Sequence, residues 1–208
     1  MRLSVYLSVA LTVAMIIYVY FDMALLSRNE GLPQLVSRSL IGFHFIDLLS
    51  NLPVIVALAL SISQFLPELT NKRLKLTLHL PADEIEIISS MLIFGVSIYL
   101  IIILLAIGLL YMTLTTFLPF ECALAELNGF FVWAFAGLAT YGFVTAVCIE
   151  PTLHHRIGFA IIGITAVSIS YWSNFAEAAY LLKTSVALAI FSLVMAIYST
   201  MRFKRGVM

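Results

Sequence analysis

The sequence predicts an all-α, polytopic integral membrane protein with six transmembrane helices and both ends on the cytoplasmic side. Three observations predict it. Of 208 residues, 62% are hydrophobic and only 11% charged, against about 25% charged in an ordinary soluble domain. An apolar excess of this size cannot be hidden inside so short a chain, so lipid must solvate much of it. Apolar stretches near the ~20-residue length of a bilayer crossing recur along the whole chain. The basic residues, finally, divide unevenly between alternate loops.

Leu3–Phe21 is long and unbroken, and no small-residue cleavage site follows it. It reads as a retained first span rather than a signal peptide. Leu40–Leu66 is the second span. Ile85–Leu118, the third, exceeds one straight crossing, so part of it must lie outside the hydrocarbon. Either the helix continues into water or it bends near Gly95 or Gly108. Leu127–Ile149 is the fourth, with Phe130, Phe131, Trp133 and Phe135 at its start as an aromatic belt. Ile157–Trp172 is the fifth, short and interrupted by Ala, Gly and Ser; the alternative is a re-entrant pair with Phe175–Leu182. Leu181–Met201 is the sixth. Gly95-Val96-Ser97 and Gly129, Gly137 and Gly142 read as small-residue helix packing. No repeat or separate soluble domain is evident, so residues 1–208 form one membrane domain. Cys122 and Cys148 fall near opposite ends of one predicted helix, and no disulfide is expected.

With the N-terminus inside, the inner basic residues are Arg2, Lys72, Arg73, Lys75, Arg156, Arg202, Lys204 and Arg205. The outer ones are Arg28, Arg38 and Lys183. This bias favours six crossings with both ends inside. A re-entrant fifth segment would put the basic tail outside. The balanced formal charge of zero gives no support for nucleic-acid binding.

The substantial inner loop is Pro67–Glu86, PELTNKRLKLTLHLPADEIE. Leu74, Leu76, Leu78 and Leu80 alternate with Arg73, Lys75, Thr77 and His79, a period of two that argues for an extended segment; a short helix would instead align Leu74 with Leu78. After Pro81, Asp83 and Glu84 stand where the first turn of the next helix should begin, complementing its dipole. A merely solvated linker has no need of those leucines.

The passage QFLPELTNKRLKLTLHLPADEIE, Gln64–Glu86, resembles the membrane subunits of type-2 ABC exporters between their second and third spans. The resemblance implies a permease whose loop docks on a separate ATPase subunit and transmits its closure to the spans. It places the coupling element at Asn71–Pro81. Leu74, Leu76 and Leu78 would be apolar anchors, Lys72, Arg73 and Lys75 would pair with acidic rim residues, and His79 completes the element. Glu150–Arg156 would be a second, smaller contact. The competing reading takes the basic residues as topological signals and the leucines as a membrane-skimming segment. Two departures from the family stand out. The apolar run begins at residue 3, without a preceding amphipathic helix, and only Ser173–Tyr180 is available for an outer re-entrant element. The expected partners are an ABC ATPase subunit, a second copy or second permease subunit, and membrane lipid. The chain has no GxxxxGK[ST] loop, so it is not expected to be an enzyme, and ATP hydrolysis would reside in the partner. No cofactor or resident metal is expected.

Other candidates are His44 and Asp47, which at i, i+3 would share a face of the second span as transport-path polar residues. Snorkelling near the outer interface is the bland alternative. Glu121, Cys122 and Glu126 fall on the same side, where histidine and carboxylates suit zinc or similar ions; solvated loop carboxylates are the plainer reading. A small membrane enzyme or metal-handling protein using His44, Asp47 and Glu121, or a non-transporting assembly subunit, is the alternative function. His154 and His155 are adjacent and lie across the membrane from His44, so they read as a loop signal with Arg156. No GxSxG nucleophile is present.

Overall fold

The computed structural model describes residues 2–40, 44–70, 84–171 and 178–206. The described residues are almost all helical, without strands. They form α1 (Arg2–Glu30), α2 (Leu32–Leu40), a 3-10 turn (Asp47–Leu49), α3 (Leu52–Thr70), α4 (Glu84–Phe117), α5 (Phe120–Ile149), α6 (Leu153–Ile169) and α7 (Ala178–Gly206). Among the described residues, five helices are long and apolar enough to cross a membrane: Arg2–Glu30, Asp47–Pro67, Glu86–Phe117, Phe120–Ile149 and Tyr180–Arg202. The protein is therefore a helical membrane protein by length and composition. α6 is also apolar but has 17 residues, about 25 Å of helix against ~30 Å of hydrocarbon.

Several boundaries differ from the sequence expectation for definable reasons. α1 runs on to Glu30, where Gly31 takes φ +85° and lets the chain turn into α2. The expected second span from Leu40 is not one helix. α3 starts at Leu52, with Pro53 in its first turn, where a missing N–H costs nothing. At its far end α3 continues through Pro67 to Thr70. The expected bend in the third span is absent: α4 is one helix of 34 residues, about 51 Å long. Gly95 lets neighbouring side chains come close instead of bending the helix. α5 begins at Phe120, seven residues before the expected Leu127, because Pro119 stands at its N-cap and Glu121 in its first turn. Cys122 and Cys148 are both free and both on α5, about 39 Å apart along it. The segment Phe175–Leu182 of the re-entrant alternative lies partly outside the described residues; from Ala178 it belongs to α7.

α5 is the centre of the bundle, packed against α3, α4, α6 and α7. Its glycines set the distances. A Cβ on Gly142 would meet Ser192 of α7, and one on Gly137 would meet the Tyr99 hydroxyl and the Pro53 backbone, as expected of small-residue packing. Gln64 joins three helices: its Nε2 donates to Met91 O of α4 at 2.7 Å, and its Oε1 accepts from the Tyr141 hydroxyl of α5 at 2.8 Å. A side chain at Gly95 would collide with both partners.

Polar contacts sort the helix ends into two levels. At one end Ser4 meets Ser63 at 2.7 Å, Gln64 joins α3 to α4 and α5, and Arg202 meets Glu150 at 3.3 Å. That end gathers the start of α1, the end of α3, the start of α4, and the ends of α5 and α7. At the other end His44 meets Glu126, the Tyr171 hydroxyl donates to Ser50 O at 2.9 Å, and Ser170 meets Ser185 at 3.2 Å. The Tyr20 and Phe117 rings meet there, tilted by 58° with centroids 5.5 Å apart.

Candidate functional site

Seven sequence-predicted coupling residues, Lys72, Arg73, Leu74, Lys75, Leu76, Leu78 and His79, lie outside the described residues. What is described is their frame. α3 ends at Thr70 and α4 begins at Glu84, the acidic helix start anticipated from sequence.

At the opposite end, His44 and Asp47 do not share a helical face as expected. His44 lies before the 3-10 turn and Asp47 opens it. The break follows from Ser50, Asn51 and Pro53, which favour a turn and a fresh helix start over a continued helix. The His44 side chain is instead directed at α5, its Nδ1 3.4 Å from Glu126 Oε1, at the long limit of a hydrogen bond. Glu126 is 2% exposed, and the Phe45 backbone N–H also bonds its carboxylate. Among the described residues its Oε2 has no hydrogen-bond partner. Asp47 is exposed and near enough to act on both groups electrostatically. Burial lowers the His44 pKa from its usual 6.5, an effect partly offset by the Asp47 charge.

Glu121 and Cys122, expected in a loop, sit on the first turn of α5, with Glu121 exposed. They do not join His44. Among the described residues no three His, Cys, Asp or Glu side chains converge closely enough to hold a metal ion.

The other end of α5 carries a second buried carboxylate, Glu150, which the sequence reading placed only in the inner-loop contact Glu150–Arg156. Glu150 is 0% exposed. Its Oε1 accepts from the Thr152 hydroxyl at 3.0 Å and faces Arg202 at 3.3 Å, while its backbone carbonyl accepts from Arg156 Nε at 2.5 Å. Thr152 also contacts His155 Nδ1 at 2.8 Å. His155 thus belongs to a polar network rather than to a metal pair with His154. The signal available in the sequence was Glu150 itself, an acidic residue flanked by an apolar helix and Pro151 among basic neighbours.

No family model, no curated protein and no solved structure matches this chain.

Proposed function

We propose that the chain is the permease subunit of an ATP-driven exporter of the type-2 ABC class in a bacterial inner membrane. It crosses the bilayer six times, with the N-terminus, the C-terminus and the α3–α4 loop in the cytoplasm. The observation that carries this reading is the loop Asn71–Pro81, whose alternating leucines and basic residues form a docking element of the kind these permeases present. Its setting supports the reading. α3 and α4 begin and end this loop at the same level as Ser4, Glu150 and Arg202, the level at which the basic residues Arg2, Arg156 and Arg202 also lie, as the positive-inside rule requires. α6 (Leu153–Ile169) lies between the level of Glu150 and that of Ser185, which supports reading it as a short sixth crossing accommodated by local thinning of the bilayer.

The ATPase is a separate subunit, and a second permease copy or companion completes the transport path. Replacing Leu74, Leu76 and Leu78 together with Asp is expected to release the ATPase from the purified complex while the membrane subunit stays folded. Undiminished co-purification and undiminished ATP-driven activity would contradict the reading. The His44–Glu126 contact favours a second reading, an outer-side polar site for a transported or reacting group. Its test is His44→Ala and Glu126→Gln, which on that reading abolish activity while the complex remains intact.

A further inference from the structure

A cleft of about 430 Å³ opens along the flank of the bundle between α5 and α6, with α3 closing its outer end. Phe143 and Val147 of α5 line one wall; Phe159, Gly163 and Val167 of α6 and then Tyr171 line the other. The cleft is apolar along nearly its whole length and opens toward the lipid. Gly163 deepens it, because a Cβ there would stand 3.0 Å from Phe143.

The α6 wall recurs every three to four residues, and one turn further toward the start of α6 the same stripe reaches His155 and Arg156. The apolar slot therefore ends one helical turn from His155 and the Arg156 guanidinium. Arg156 is half-buried and oriented by its Nε bond to Glu150 O. It lies near enough to Cys148 of α5 to act on it electrostatically. Among the described residues no carboxylate makes an ion pair with Arg156; Glu150 pairs with Arg202 through Oε1, and its Oε2 makes no hydrogen bond. The terminal guanidinium nitrogens of Arg156, without a partner among the described residues, are donors for an acceptor from outside the chain. Thr152, at the N-cap of α6, makes no side-chain capping bond to the helix. The first-turn N–H groups and the positive end of the α6 dipole thus face the same surface.

An apolar slot at hydrocarbon depth, continuous with a cationic, N–H-rich rim at headgroup depth, matches one kind of molecule in shape and charge. We propose that this cleft is a binding site for an anionic phospholipid. One acyl chain lies between α5 and α6, and the phosphate is held by Arg156, with His155 and the start of α6 beside it. The site goes beyond the permease reading and does not depend on an ATPase.

The test uses the full chain purified in detergent, exposed to equal amounts of dioleoyl phosphatidylglycerol and dioleoyl phosphatidylcholine and examined by native mass spectrometry. The wild type retains phosphatidylglycerol preferentially. Arg156→Gln weakens that retention about fivefold, the worth of one arginine at a lipid surface, while Arg156→Lys preserves most of it. Ala160→Phe, which fills the cleft, lowers retention of both lipids. Thermal stabilisation by added phosphatidylglycerol, present in wild type and Arg156→Lys and lost in Arg156→Gln, reads out the same site independently. Equal retention of the two lipids by the wild type would overturn the proposal. So would an Arg156→Gln variant that retains phosphatidylglycerol as the wild type does, or displacement of the lipid by inorganic phosphate alone.

Discussion

Two buried glutamates stand at the two ends of α5, and their partners differ in kind. Glu150 faces a guanidinium, accepts a hydroxyl hydrogen bond and sits where three chain segments meet. Glu126 faces an imidazole at the long limit of hydrogen bonding, with one exposed carboxylate nearby. Arginine keeps its charge at any accessible pH, whereas histidine changes charge near neutrality. The Glu150 end of α5 is therefore held by a carboxylate–guanidinium ion pair, and the Glu126 end by a pair that includes a titratable imidazole. The first of these contacts anchors α7 to α5.

The largest effect is expected from Arg202→Leu, which leaves Glu150 buried without its cation. A loss of about 3–5 kcal/mol is expected, read as unfolding of the purified protein in detergent. Glu150→Ala leaves only a partly exposed arginine and costs less, so the two single variants should be unequal in that order. Equal losses would show that the pair is not what matters there. Tyr141→Phe comes next. It strands Gln64 Oε1 between α3 and α5, for about 1–2 kcal/mol, and Gly95→Leu, which displaces both partners, should exceed it. At the other end of α5 Glu126→Gln preserves shape and loses only a long contact, so less than about 1 kcal/mol is expected.

The smallest effect is a pH dependence confined to the His44–Glu126 end. The folded-state pKa of His44 lies below its usual 6.5. Between those two values the unfolded chain binds the proton more readily than the folded one. The His44 contribution is therefore fully present above 6.5 and is lost as pH falls through the folded value. The difference in stability between wild type and His44→Gln should shrink on acidification through that window. A difference independent of pH would remove His44 from the account of this end.

How much of this could be read from the sequence depends on how far apart the interacting residues lie. Apolar runs announced all the long helices, because a span must satisfy its own backbone and so advertises itself locally. The start of α4 at Glu84 was legible from its acidic first turn. The start of α5 was legible too, in Pro119-Phe120-Glu121, but the aromatic run at Phe130 drew the boundary inward. The start of α3 was obscured because Leu40–Leu49 is as apolar as the helix that follows, and only Ser50, Asn51 and Pro53 mark the break. That break moved His44 off the face it was expected to share with Asp47. The pairings His44–Glu126, Gln64–Tyr141 and Glu150–Arg202 join residues far apart in the chain, and no local pattern encodes them. Residues 72–79, proposed as the coupling element, lie outside the described residues.

The central claim is that six helices cross and that the α3–α4 loop shares a side with both termini. Single cysteines at Arg28, Lys75, Thr152, Lys183 and Lys204, in a chain with Cys122→Ser and Cys148→Ser, can be challenged in intact cells with a membrane-impermeant maleimide. Six crossings predict labelling at Arg28 and Lys183 and protection at Lys75, Thr152 and Lys204 until the membrane is opened. Protection of Lys183 together with Thr152 would mean that α6 does not cross, and labelling of Lys75 in intact cells would place the proposed docking loop on the wrong side of the membrane.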